Sequence, residues 1–287
     1  MQRELLDRDR ALVLRLTLLM VILYGPGYWS SQLPASLVSA AMITRSEWLR
    51  SRFGWALLLA LLVQGVALQW YRADNHQYLI AYWVLAINIS LYVRDPEVSL
   101  RAMARGLISG TFLFATLWKI RGGEFFNGVF WEGMLLTDRR LAFAAEFLGG
   151  LGRRSVEQNY LALGTFLDPV QTVPTISLTS TPRLERLAYW LGWGGVILEA
   201  LIALLFILPS RMIGDDARVI AILVFIVGVY MWLPVPGFGW VLGIMTLMYL
   251  PPHRRRLREF VFCALLGLIL VTAPKQELFS FLLRRGQ

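Results

Sequence analysis

The chain is built from recurring apolar runs of near-bilayer length, joined by short connections rich in arginine. A helix rises about 1.5 Å per residue, so a run of roughly 20 apolar residues crosses the hydrocarbon core. Phe53–Trp70, Gln77–Val93, Ser99–Trp118 and Leu187–Leu208 are such runs. Ala11–Trp29 is another, interrupted by Gly25-Pro26-Gly27, and Val219–Leu233, Phe238–Leu250 and Phe260–Val271 follow. The pattern predicts an all-α fold, a multi-pass transmembrane helical bundle of about eight spans in the cell membrane. A transmembrane barrel would show short alternating strands instead. The composition agrees: 57% of the residues are hydrophobic, above the ~45–50% of soluble domains. No polar stretch is long enough for a separate soluble core, so residues 1–287 read as one membrane domain.

The net charge of +9 comes from arginines beside the apolar runs. That placement fits helix flanks facing anionic lipid and argues against nucleic acid. The first helix favours a cytoplasmic N-terminus, whereas eight simple crossings would put the basic cluster Arg254–Arg258 outside; one crossing more or fewer reconciles them. The charged start before Ala11 has no small-x-small cleavage pattern close behind it, so the first helix reads as retained. The single cysteine, Cys263, lies in an apolar run and reads as a small buried hydrophobe. No Cys/His/Asp/Glu cluster has metal-ligand spacing, so no metal is expected.

Two segments differ from the rest. Residues 32–52 interleave Met42, Ile43, Trp48 and Leu49 with Arg45, Glu47, Arg50 and Arg52, an amphipathic pattern suited to the interface. Residues 120–182 are the longest less apolar stretch. Within it Glu124–Leu136 is dense in aromatics and too short to span. Thr137-Asp138 caps a short helix that Gly149-Gly150 ends, Ser155-x-x-Gln158 fits a capping box, and Pro169, Pro174 and Pro182 mark an extended loop.

Titratable residues within apolar sequence are the candidates for chemistry. Lys119 ends one apolar run, His76 opens another, and Glu199 lies in the middle of Leu187–Leu208, where it must be paired, protonated or turned inward. If the two runs form a hairpin, His76 and Lys119 lie at one membrane face. Each has a bland alternative. A lysine at a helix C-terminus snorkels and complements the helix dipole, and a histidine at a helix start fills a local hydrogen bond. Trp118, Phe125, Phe126 and Trp131 either line a ring-binding pocket or belong to an interfacial aromatic belt.

Asn75-His76-x-Tyr78-Leu79 before an apolar helix, a later helix ending in Lys119, and Phe126-x-Gly128 resemble the vitamin K-dependent gamma-glutamyl carboxylase and its bacterial relatives with the HTTM membrane domain. Val196–Pro209 resembles that family's glutamate-containing helix, and Tyr230–Pro252 the helices after it. The resemblance covers roughly residues 70 to 252. It implies a quinone (vitamin K-like) cofactor, with Lys119 as the base that deprotonates its hydroquinone form. Reaction with oxygen then gives a strong base that takes a γ-proton from a substrate glutamate. His76 would support the site, with Glu199 as a buried carboxylate. The family's large non-membrane portion has no counterpart in residues 1–287, so the resemblance extends to the membrane core rather than to the protein substrate. Two functions stay open: a membrane-embedded carboxylase-like or quinone-dependent enzyme acting on a quinone or lipid-like substrate, and a non-enzymatic maturation or assembly partner of another protein. The bilayer is a partner in both.

Overall fold

The computed structural model describes residues 2–25, 29–68, 70–71, 73–167, 175–230, 235–251 and 253–272. Among them the secondary structure is helical, with no strand. The chain divides into two compact units. The first comprises Met1–Thr111, Leu205–Met231 and Val235–Gln287; the second comprises Phe112–Leu204 and Trp232–Pro234.

The first unit opens with α1 (Gln2–Tyr24), α2 (Trp29–Thr44), a 3-10 turn at Ser46–Arg50, α3 (Arg52–Leu68) and α4 (Asn75–Ser90). The predicted interfacial stretch 32–52 is thus most of α2, the tight turn after it and the first residue of α3. α4 stops five residues before Pro96, which begins α5 (Pro96–Gly122), as a proline at a first helical position permits. α9 (Asp215–Tyr230), α10 (Pro236–Tyr249) and α11 (Arg255–Thr272) complete the unit.

α10 is the centre of this unit. It packs against α1, α4, α9 and α11. Its sequence is apolar on every face, and Trp240 to Tyr249 are all buried, as expected of a helix with no solvent side. Gly239 and Gly243, one turn apart, let α11 approach. A Cβ on Gly243 would lie 2.5 Å from Leu265 Cδ2, and one on Gly239 would lie 2.7 Å from Leu268 Cδ1. Two buried indoles find acceptors: Trp83 Nε1 donates to Thr17 Oγ1 at 2.9 Å, and Trp55 Nε1 to the Leu49 carbonyl at 2.9 Å. Cys263 lies exposed on α11, which corrects the expectation of burial. Its apolar run has a second face, turned away from α10, and Cys263 falls on that face.

A buried arginine closes the end of α9. Arg218 is fully buried. Its Nε donates to the Leu205 carbonyl at 2.7 Å and its second guanidinium nitrogen to the Leu208 carbonyl at 2.6 Å. The third nitrogen reaches Ser210 Oγ at 2.9 Å, Asp215 Oδ1 at 3.0 Å and Tyr249 Oη at 2.7 Å. Tyr249 Oη in turn donates to Asp215. Four residues after Leu205 stands Pro209, which has no N–H to give. Arg218 supplies the donor that the proline withholds. Arg105 assists, donating to the Phe206 carbonyl at 2.8 Å and the Leu208 carbonyl at 2.5 Å.

The second unit is organised around α6 (Val129–Thr137), α7 (Arg153–Leu167) and α8 (Pro182–Ile207), with a 3-10 turn at Arg139–Leu141 and a π-helical turn at Ala144–Leu148 between α6 and α7. Its core joins Leu135, Leu136, Leu141, Ala145, Val156 and Leu184. Asp138 caps the 3-10 turn by accepting from the Arg140 N–H at 2.9 Å, and Gly150 ends the segment in the left-handed region at φ 68°. These agree with the cap and stop read from the sequence. α7 begins at Arg153, ahead of the expected Ser155 cap, and Pro182 opens α8 rather than lying in the loop. Pro169 and Pro174 fall outside the described residues. Asn159, buried on α7, holds the chain before α8 with two hydrogen bonds to the Thr179 backbone, 3.0 and 2.8 Å.

Among the described residues one helix, α8, is long and apolar enough to cross a membrane. α3 and α10 are apolar but shorter, at 17 and 14 residues.

Candidate functional site

α5 ends with Lys119 and Arg121 in its last turn, where positive charge complements the carbonyl end of the helix. The Lys119 ammonium does not extend outward. It hydrogen-bonds and ion-pairs with Glu199 Oε1 on α8. Both side chains are largely enclosed, with 18% and 11% of their surface accessible. Glu199 Oε2 is buried and has no hydrogen-bond partner among the described residues. Glu199 is therefore paired at one oxygen and open at the other.

The segment between α5 and α6 folds aromatic rings beside this pair. Lys119 Nζ stands 5.3 Å from the centre of the Phe125 ring, within cation–π range. Phe125 packs on Phe130 at 4.3 Å, and Phe130 meets Trp131 edge-on at 5.6 Å. Phe126 meets Trp193 of α8 edge-on at 4.8 Å. Two glycines make this possible. Gly192 faces the Phe125 carbonyl so closely that a Cβ there would collide with it. Gly128 takes φ 81° and lies against the Tyr189 backbone, with a would-be Cβ 3.0 Å from the Tyr189 nitrogen.

The structure thus brings Lys119 and Glu199 together, with Phe126 and Trp131 in the adjoining aromatic group. Trp118 is 70% exposed. His76 belongs to the first unit, in the opening turn of α4. Its Nδ1 is 4.0 Å from Asp74 Oδ2, and its ring lies on Gly237 at the start of α10, where a Cβ would come within 2.5 Å of His76 Cδ2. Phe125 is one of the candidate ring-binding residues, whereas Trp193 and Gly192 are not singled out by their spacing. The signal was there in part: Gly192, Gly194 and Gly195 cluster around Trp193, and glycines inside a helix mark a place where another backbone can approach. No group of three or more His, Cys, Asp or Glu side chains able to hold a metal occurs among the described residues.

Electrostatics elsewhere in the second unit are local. Partial burial pushes the Asp138 carboxyl up, but hydrogen bonds from the Arg140 side chain and backbone, together with its charge, outweigh this and hold it below the usual carboxylate range. Burial, aided by the charge of Asp138 and opposed by Arg139, pushes the Tyr160 phenol up to about 12. Compared with known proteins, the chain matches no family model, no curated protein and no solved structure.

Proposed function

We propose that the protein is a multi-pass membrane protein whose second unit holds a proton-transfer site for a ring-bearing, membrane-soluble substrate of the quinone or lipid-like class. The observation that carries the reading is the enclosed Lys119–Glu199 pair with an unpartnered carboxylate oxygen beside Phe125. A buried polar atom with no partner is costly, by about 1–3 kcal/mol, and a ligand that donates to it removes that cost. A substrate hydroxyl donating to Glu199 Oε2 would satisfy it. The adjacent ammonium would then stabilise the oxyanion left after proton transfer, in surroundings where water competes poorly. Phe125, Phe126 and Trp131 offer apolar faces to a ring. This agrees with the carboxylase-like and HTTM resemblance in its quinone-type site, but it gives the role of base to Glu199 and leaves Lys119 as the stabilising cation. The reading rests on residues of one unit and needs no role for His76.

The membrane part of the proposal is supported by the apolar composition and by α8, and it is tested separately. Alkaline extraction of membranes should leave the protein in the pellet; release into the supernatant refutes spanning. The site is tested by purification in mild detergent and mass spectrometry of co-purifying quinones and lipids. Wild-type protein should carry a quinone-class molecule that Lys119→Met and Glu199→Gln lose, with the helical circular dichroism of both variants intact. Equal ligand content in wild type and variants refutes the site.

A second reading, a non-enzymatic assembly partner, is favoured by a different observation. Phe143 and Phe147 stack at 5.5 Å on the face of the π-helical turn, and both are exposed. Under that reading Phe143→Ser/Phe147→Ser abolishes function while Lys119→Met leaves it intact.

A further inference from the structure

The first unit carries an apolar groove that the proton-transfer proposal does not use. It runs between α2 and α3 and reaches the 3-10 turn. Its volume is about 500 Å³, within the ~300–1,000 Å³ range of small-molecule sites. Leu37 and Met42 of α2, Trp48 of the turn, and Phe53, Gly54 and Leu57 of α3 line it. Leu37 is 63% and Phe53 77% exposed, so this apolar surface is open to the surroundings.

The turn is basic. The turn 45–52 holds Arg45, Arg50 and Arg52 against the single acid Glu47. The Arg45 guanidinium stacks on Trp48, 5.2 Å from the ring centre, which fixes one positive charge beside the groove. Arg52 is turned toward α4, donating to the Leu91 carbonyl at 3.2 Å and stacking on Tyr92. Arg45 and Arg50 are both exposed. An apolar groove with the Arg45 guanidinium stacked on its Trp48 and Arg50 in the same turn is complementary to an amphiphile with an apolar tail and an anionic head.

We propose that this groove is a binding site for an anionic phospholipid, one acyl chain lying along α2 and α3 and the phosphate held by Arg45 and Arg50. A zwitterionic lipid would match the groove and not the charge, and a polar peptide would match neither. The site lies in the first unit and stands whether or not the proton-transfer site is correct.

The test uses the full-length protein in detergent micelles and native mass spectrometry, with phosphatidylglycerol or phosphatidylcholine of identical chains added. Each guanidinium near a lipid phosphate contributes about fivefold in binding. Phosphatidylglycerol should therefore be retained over phosphatidylcholine, and Arg45→Gln/Arg50→Gln should remove the preference. Gly54→Leu should block retention of both lipids: the new side chain fills the groove, where a Cβ already comes within 3.2 Å of the Met42 thioether. A diazirine on the acyl chain of phosphatidylglycerol should label peptides covering residues 37–57 in the wild type, which needs no variant to fold. Equal retention of the two lipids, labelling spread evenly over the apolar surface, or cross-links between two copies at this face would each overturn the proposal. Loss of lipid selectivity with the quinone-class ligand still present separates failure of this site from failure of the other.

Discussion

Replacing Arg218 by methionine isolates what a single buried cation does for the first unit. Methionine keeps much of the volume and removes every donor. The cost depends on which acceptors find no other partner. The Leu208 carbonyl keeps Arg105, and Asp215 keeps the Tyr249 hydroxyl. The Leu205 carbonyl does not recover, because Pro209 has no N–H to offer it. Asp215 is 31% accessible and gains water in part. Breaking a buried charged network costs about 3–5 kcal/mol in general, and these partial rescues place Arg218→Met near the lower end, about 3 kcal/mol. For a chain of this size that is a fall of roughly 6–12 °C in Tm. The assay is thermal unfolding of detergent-purified protein followed by circular dichroism. Arg218→Lys should recover only part of the loss, since one ammonium cannot reach acceptors spread around a planar fork. Tyr249→Phe alone should cost about 1 kcal/mol, and the double variant less than the sum, because the two side chains share Asp215. A loss below about 1 kcal/mol for Arg218→Met, or strict additivity with Tyr249→Phe, would refute the argument that the arginine replaces the missing proline donor.

Three further outcomes follow from the packing and charges. Gly243→Val should destabilise the first unit by about 1–3 kcal/mol through Leu265, and Leu265→Ala should relieve part of that cost; unchanged Tm in Gly243→Val would refute the close approach of α10 and α11. Gly192→Ala should displace the Phe125 segment and lower ligand retention at the Lys119–Glu199 pair, read by the same co-purification assay, and should lower Tm as well, because the new Cβ meets the Phe125 backbone rather than a yielding side chain. Tyr160 keeps its proton in the folded state up to about 12, whereas the unfolded phenol loses it near 10, so stability should decline as pH rises through that window. Tyr160→Phe should abolish the decline and be neutral or slightly stabilising at pH 7, because the buried hydroxyl has no hydrogen-bond partner among the described residues. Asp138 runs the other way. Its contribution is complete above the unfolded value of 3.8 and is lost as pH falls through its lower folded value, a loss that Asp138→Asn should remove from the acid limb of the Tm profile.

What could be read from the chain in advance was set by how local the cause was. The helices, the stop near Pro96, the Asp138 cap and the Gly149-Gly150 end depend on a few neighbouring residues and were legible in the sequence. The pairing of Glu199 was legible as a requirement, since a carboxylate amid Leu and Ile needs a partner, and Lys119 was a candidate by its place at a helix end. Its partnership with Phe125 was not, because it depends on Gly192 and Gly128 allowing two backbones to meet across more than sixty residues of chain. Arg218 was passed over for a related reason. Near an α-helix start beside two aspartates it looks like an ordinary flank residue, and only the absence of an N–H at Pro209, four residues after Leu205, explains why Arg218 is buried against the Leu205 carbonyl.

The same reasoning separates the two sites proposed here. In the second unit, the pair is neutral as a whole and leaves one acceptor unsatisfied, so it selects a ligand by a donated hydrogen bond and a ring. In the first, the groove is lined by apolar side chains with guanidinium groups in the adjoining turn, so it selects by tail and charge. Salt discriminates between them. Raising ionic strength screens exposed guanidinium–phosphate attraction over about 10 Å at 0.1 M and should weaken phospholipid retention at Arg45 and Arg50. A hydrogen bond to an enclosed carboxylate is screened far less, so ligand held at Glu199 should survive the same wash. Equal salt sensitivity at the two places would mean that one ligand class occupies both and that the division argued from their chemistry is wrong.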